Sequence, residues 1–218
     1  MQRFLDIFLS LTAIVFLSPI LITVSIILKF TGENEIFYEQ ERVGIHGKTF
    51  GVLKFATMLK NSPNIGAGEI TVKNDPRVLP FGKFLRKSKI NELPQLWNIF
   101  VGDMSIVGPR PMVPNTFAKY DTNAQNRLNS IRPGLTGIGS IVFRDEEKLL
   151  EDKSNAQEFY SNHIIPYKAN LETWYVDNVS LSLYLKCIFI TAWVVIFPKS
   201  KMHLNFLRNL PSIPDNLK

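Results

Sequence analysis

Residues 71–111 read TVKNDPRVLPFGKFLRKSKINELPQLWNIFVGDMSIVGPRP, and the architecture on either side is organised around this stretch. Glycine and proline punctuate it into short segments. Phe81–Lys87 predicts a short basic helix. Asn91–Phe100 predicts a second helix that tolerates Pro94 in its first turn, where the missing N–H has no partner to lose. Pro109–Pro114 is too rich in proline for helix or central strand and predicts extended loop. The cations Arg77, Lys83, Arg86, Lys87, Lys89 and Arg110 alternate with the carboxylates Asp75, Glu92 and Asp103. A guanidinium can grip two phosphate oxygens, and a backbone stiffened by neighbouring Gly and Pro holds it in place. Carboxylates nearby suit a divalent cation that bridges phosphates. Each residue alone has a plainer role. A run such as Lys83–Lys89 is usually a solvated face. Asn91 could cap a helix, Glu92 could sit in its first turn, and Arg110 could satisfy loop carbonyls. Their joint occurrence is what points to a phosphate and metal site.

Upstream, Ile36–Val43 and Lys48–Lys54 are β-prone runs around Gly44–Gly47 and predict a hairpin, followed by a loop over Asn61–Asp75. Farther upstream, Phe4–Leu28 is apolar except for Asp6. At about 1.5 Å per residue it is long enough for a hydrocarbon core about 30 Å thick. It contains no small-x-small cleavage site of the secretory kind. Ser18-Pro19 sits at its middle. Proline removes a backbone donor and kinks a helix, and serine can bond the freed carbonyl. The plain reading of the run is a single transmembrane helix, and the pair favours instead a helix that is broken there and returns to the face it entered from. Downstream, helices are expected at Asn115–Ser130, Glu146–Glu151 and Ala156–Tyr175, the last broken near Pro166. Leu181–Phe197 is a second apolar stretch of about 17 residues, interrupted by Lys186. It is short for a span and suits an interfacial or core-packed helix. The basic tail Lys199–Lys218 suits a lipid surface.

The 218 residues suit one domain with appendages, and 45% hydrophobic against 20% charged residues permits a packed core. The net charge of +6 favours anionic partners: nucleic acid, anionic lipid or a phosphorylated substrate. No basic patch interleaved with aromatics and no recognition helix supports nucleic acid. Cys187 is the single cysteine, so no intramolecular disulfide forms and a cytosolic setting is natural. His46, His163 and His203 share no metal-ligand spacing. The expected fold is α/β and mostly helical. A re-entrant membrane helix over residues 1–30 leads into a compact cytoplasmic domain with a small antiparallel hairpin over 31–178. An interfacial amphipathic helix with its basic tail follows over 179–218.

The stretch 71–111, together with FYEQERVG, LKFATM, RPGLTGIGS and WYVDNVSLSLYLK, resembles the bacterial sugar transferase family, the monotopic polyprenol-phosphate phosphoglycosyl transferases. The likeness runs from the first apolar segment to about Phe197, and Ser18-Pro19 resembles the family's membrane break. The resemblance implies transfer of a sugar 1-phosphate from a UDP-sugar to polyprenol (undecaprenyl) phosphate. This would initiate glycan assembly at the cytoplasmic face of a bacterial inner membrane, with Mg2+ as cofactor. In the family an Asp-Glu pair carries the chemistry: the Asp attacks the phosphate next to the sugar and the Glu holds the metal. Here that pair reads Asn91-Glu92. A carboxamide is uncharged and a very poor phosphoryl acceptor. A second departure is Ala56, in LKFATM, where the family usually has arginine. The implied site is therefore Glu92, Asn91 and Asp103 at the reaction centre, Glu92 on the metal, and Arg86, Arg110 and Lys54 on phosphate. The alternative is a disabled member that keeps the site to bind a sugar nucleotide or lipid as a scaffold.

Overall fold

The computed structural model describes residues 1–65, 75–144, 156–197, 200 and 210–217. The expected helix at Glu146–Glu151, residues 71–74 of the opening stretch and most of the basic tail lie outside them. The described chain is mostly helical. Helix α1 (Gln2–Phe30) precedes the hairpin β1 (Phe37–Val43) and β2 (Thr49–Phe55). Then come α2 (Pro80–Lys87), a 3-10 turn at Ile90–Glu92, α3 (Gln95–Val101) and β3 (Ser105–Val107). Short helices α4 (Pro114–Phe117) and α5 (Thr122–Leu128) lead to β4 (Gly134–Thr136) and α6 (Ile138–Val142). Helix α7 (Ala156–Phe159), α8 (Ile165–Asp177) and α9 (Leu181–Ile196) follow.

Helix α1 is unbroken. Pro19 lies inside it, so the interruption expected at Ser18-Pro19 is not present. Pro19 cannot donate to Val15 O, and Ser18 Oγ donates to that same carbonyl at 2.8 Å. One face of α1 meets the domain along its length. Arg3 donates to Ile99 O and Phe100 O at the end of α3, at 2.6 and 2.8 Å. Asp6, only 2% exposed, accepts from Ser105 Oγ, Ile106 N and Tyr184 Oη at 3.0, 2.9 and 2.7 Å. Ala13, Ile14 and Leu17 pack on Val52, Leu96, Ile99 and Met104. Val24 and Leu28 pack on Phe55 and Leu85. The opposite face bares Phe4, Phe8, Val15, Phe16 and Phe30, the last two 81% and 82% exposed.

The hairpin is antiparallel with Phe37 opposite Phe55 and Val43 opposite Thr49. Its turn uses the left-handed residues His46 and Gly47. A two-stranded parallel pair, β3 with β4, joins Ser105 to Gly134 and Val107 to Thr136, in segments to which the sequence reading assigned no element. Glycine permits this close pairing: a Cβ on Gly134 would lie 2.1 Å from Gly108 N. The expected Asn115–Ser130 helix is two helices, because Asp121 Oδ1 accepts from Ala124 N at 2.9 Å and starts α5 afresh. The α-helix is interrupted just before Pro166. A π-helical turn at Tyr160–Ile164 joins α7 to α8, and Pro166 sits in the first turn of α8. Helix α9 puts Tyr184, Cys187 and Ile190 into the main core with Leu171, Tyr175 and Ile138, and exposes Leu185, Phe189 and Ile196.

Candidate functional site

The site begins where α2 ends. Lys89 adopts the left-handed conformation, φ 60°, and turns the chain into the 3-10 turn Ile90–Glu92. Helix α3 starts only after Pro94, so Asn91 is not its N-cap. Pro94, three residues after Asn91, has its φ fixed for the helix that follows. Asn91 is 8% exposed, and its Oδ1 has no hydrogen-bond partner among the described residues. Glu92 Oε1 accepts from Arg110 Nη2 at 3.1 Å. Arg110 comes from the GPRP loop after β3, so the two halves of the opening stretch meet here.

The hairpin supplies a third wall. Gln40 and Arg42 lie on one face of β1, as alternate residues do, and Lys54 of β2 lies on the same face. Arg42 donates to Pro111 O at 3.0 Å and to Gln40 Oε1 at 2.6 Å, and Lys54 Nζ approaches the same Oε1 at 3.5 Å. Arg86, at the end of α2, rests against Met58 Sδ at 3.7 Å. Burial, then Arg42 and Arg110, depress the Lys54 ammonium to about 7, and Glu92 pulls the other way. Burial pushes the Glu92 carboxyl up, but Arg110, Lys54 and Lys89 together hold it down at about 2. The site is thus a concentration of cations around one ionised carboxylate. Such an excess is relieved by an anion with several oxygens, which a diphosphate supplies.

The expected phosphate ligands Lys54, Arg86 and Arg110 and the expected pair Asn91-Glu92 are brought together. Asp103 is not. It lies at the far end of α3, where Asn98 Nδ2 donates to its Oδ2 at 3.3 Å and also holds Gly51 O. Asp75 and Arg77 are likewise withdrawn from phosphate chemistry. They form a buried pair at 2.6 Å, and Arg77 Nη1 also binds Ser62 O and Ile65 O. Ala56 is buried, its N–H on Ile36 O, and supplies no charge where an arginine was expected. Sequence reading missed Gln40 and Arg42, although their alternation opposite Lys54 would have put all three on one face. It also missed Glu172, a carboxylate between the core residues Leu171 and Tyr175.

No cluster of three or more His, Cys, Asp or Glu occurs among the described residues. The oxygen donors that stand next to each other in this turn are the Glu92 carboxylate and the Asn91 carbonyl oxygen, which has no hydrogen-bond partner among the described residues. That set fits a hard cation that takes its remaining ligands from phosphate and water, as Mg2+ commonly does.

The profile of the bacterial sugar transferases matches residues 1–198. An exopolysaccharide production protein ExoY of Sinorhizobium fredii is 36% identical over 204 residues, covering 87% of this chain and 83% of that protein. A UDP-glucose:undecaprenyl-phosphate glucose-1-phosphate transferase of Klebsiella pneumoniae is 32% identical over 91% of this chain, which spans 41% of that protein. An undecaprenyl-phosphate galactose phosphotransferase of Salmonella typhimurium is 31% identical over 90% of this chain, which spans 40% of its length.

Proposed function

Because the chain belongs to the bacterial sugar transferase family, we propose that it transfers a sugar 1-phosphate from a UDP-sugar to undecaprenyl phosphate at the inner face of the cytoplasmic membrane. The observation that carries this reading is the convergence of Lys54, Arg86 and Arg110 on the Glu92 turn, under a helix with an apolar outer face. Arg110 and Lys54 bind the diphosphate oxygens and neutralise charge as it moves between them. Glu92 and Asn91 Oδ1 would hold Mg2+, which would lower the repulsion between the donor diphosphate and the incoming lipid phosphate. An oxygen of the lipid phosphate attacks the phosphorus that carries the sugar. The bond from that phosphorus to the oxygen bridging the two donor phosphates breaks, and UMP leaves with that oxygen. The product is a polyprenol diphosphate sugar.

Direct attack is favoured because Asn91 offers no carboxylate, and Asp103 is tied to Asn98 rather than turned to Glu92. Glu92 is engaged with Arg110 and keeps its role toward metal. This route expects sequential kinetics and no covalent phosphosugar on the protein. Intact mass measured after mixing with UDP-sugar alone is the check, and an added sugar phosphate rules direct attack out. The disabled-member reading rests on the same residue. Purified protein in nanodiscs with undecaprenyl phosphate, Mg2+ and a panel of UDP-sugars decides between them. Lipid-dependent UMP release supports transfer. No release with any donor, together with retained UDP binding, leaves a binding module. Asn91→Asp then reports further: a gain from near zero marks a disabled enzyme, whereas loss or no change shows that asparagine belongs to a working site.

The membrane seating follows from α1. Its two ends rest on one domain, through Arg3 at α3 and Leu28 at Phe55 and Leu85. A domain on one side of a bilayer cannot hold both ends of a spanning helix, so both ends of α1 stay on the cytoplasmic side while its outer face enters the leaflet.

A further inference from the structure

Glu172 is 3% exposed on α8 and takes no part in the chemistry above, yet it touches the segment that carries Arg110. Its Oε1 accepts the backbone N–H of Arg110 at 3.3 Å. One turn along the same helix, Tyr175 Oη donates to Val107 O at 3.3 Å. Helix α8 therefore grips both ends of the segment Val107–Arg110. Between these grips Gly108 N donates to Thr136 O at 2.9 Å and Gly134 N to Pro109 O at 2.8 Å. The backbone beneath Arg110 is thus fixed from two sides, by β4 and by α8. The fold makes room for the carboxyl: a Cβ on Gly139 would lie 2.3 Å from Glu172 Oε1. Burying a carboxyl in an apolar core is costly, and a residue that only filled space there would be better served by leucine or methionine. The second oxygen, Oε2, has no hydrogen-bond partner among the described residues, so the hydrogen bond to Arg110 N is the one this carboxyl makes among them.

We propose that Glu172 is a positioning residue: by holding the Arg110 N–H it sets the direction in which the Arg110 guanidinium meets Glu92 and the donor diphosphate. The proposal rests on the reading of Arg110 as a diphosphate ligand. The guanidinium is attached through several rotatable bonds, so a loose backbone at Arg110 would spread its positions and weaken a two-oxygen grip. A neutral carboxyl or a carboxamide still offers the N–H a carbonyl oxygen, though a weaker acceptor than a carboxylate. The charged groups facing Glu172 are Arg110 from the loop and Lys168 on its own helix, and the titratable groups are Tyr175 and Cys187 of α9. Burial raises the Glu172 carboxyl to about 7. The feature that positions Arg110 is the accepting oxygen, which Glu172→Gln keeps and Glu172→Met removes.

The test uses the full chain in detergent or nanodiscs, with pyrophosphate and UDP as probes and affinity read by calorimetry. Arg110→Ala should weaken pyrophosphate binding roughly ten-fold or more. Glu172→Met should weaken it comparably, Glu172→Gln should restore it, and the double variant Glu172→Met/Arg110→Ala should bind no worse than Arg110→Ala alone. Glu172→Asp keeps the acid but withdraws it by one methylene, and it should lose affinity while melting near wild type. It serves if the methionine variant does not fold. Additive losses in the double variant, or wild-type affinity in a folded Glu172→Asp or Glu172→Met, overturn the proposal. If Arg110→Ala itself binds as wild type, the diphosphate reading of Arg110 falls and the proposal falls with it. If only the Glu172 variants bind normally, the proposal alone falls.

Discussion

Burial and the neighbouring Arg42 and Arg110 bring the Lys54 ammonium to about 7, so near pH 8 it is mostly neutral while the site is empty. An anion bound beside it favours the charged form. Diphosphate binding at pH 8 should therefore take up a proton, seen as a dependence of the calorimetric heat on buffer ionisation enthalpy. Lys54→Met should abolish that dependence; uptake that persists in the variant would assign it elsewhere. Arg110→Ala should lower turnover by the equivalent of about 2–4 kcal/mol of transition-state stabilisation, because charge-assisted contacts at a partly dehydrated site are strong. A folded Arg110→Ala with full turnover makes the loop arginine structural. Glu172 has the opposite pH behaviour to an ion-paired carboxylate. Its folded value is raised from 4.5 to about 7, so between those values the native state holds a proton that the unfolded state has lost. Stability should fall as pH rises through that window, by on the order of 3 kcal/mol in total. Melting of Glu172→Gln across pH 5–8 should lack that fall.

At the scale of elements, α1 is held by polar groups at its start and by packing farther along. Asp6→Ala would leave Ser105 Oγ, Ile106 N and Tyr184 Oη without their acceptor. A cost of about 3–5 kcal/mol is expected from stranding these buried donors, measured by thermal melting in detergent. Asp6→Ala melting within a degree or two of wild type would show that α1 is not pinned there. Ser18→Ala would uncover Val15 O, and the penalty should be larger in lipid than in detergent because no water replaces the hydroxyl. Pro19→Ala restores the backbone donor to that carbonyl and should rescue Ser18→Ala in the double variant. Proline and serine here act as a matched pair that keeps one helix continuous, whereas sequence pattern alone read them as the place where it breaks and turns back.

Across the whole molecule, the exposed side of α1 should seat the domain on lipid. Phe8→Glu/Phe16→Glu changes side chains that face outward, so the protein should stay folded and lose flotation with anionic vesicles. Val24→Glu faces Phe55 and Leu85 and should unfold it instead. Cysteines placed near Met1 should resist an impermeant reagent added from the periplasmic side, and labelling there would establish a spanning helix. The sequence by itself determined the elements whose signal is local. The apolar run, the hairpin around Gly44–Gly47, the basic helix at Phe81–Lys87 and the rigid loop at Pro109 all follow from composition, turn residues and period. It also set the expectation of an anionic ligand, because cation density is a property of composition. Tertiary structure decided which of those cations converge. Arg77 and Asp103 carry the same charges as Arg110 and Glu92, yet Arg77 is spent on Asp75 and loop carbonyls and Asp103 on Asn98. Likewise β3 and β4 are three residues each and become strands only by pairing across a long separation. Glu172 meets Arg110 only because α8 packs there. Such contacts join residues far apart in the chain, and no local pattern encodes which partner a side chain will find once the core has closed.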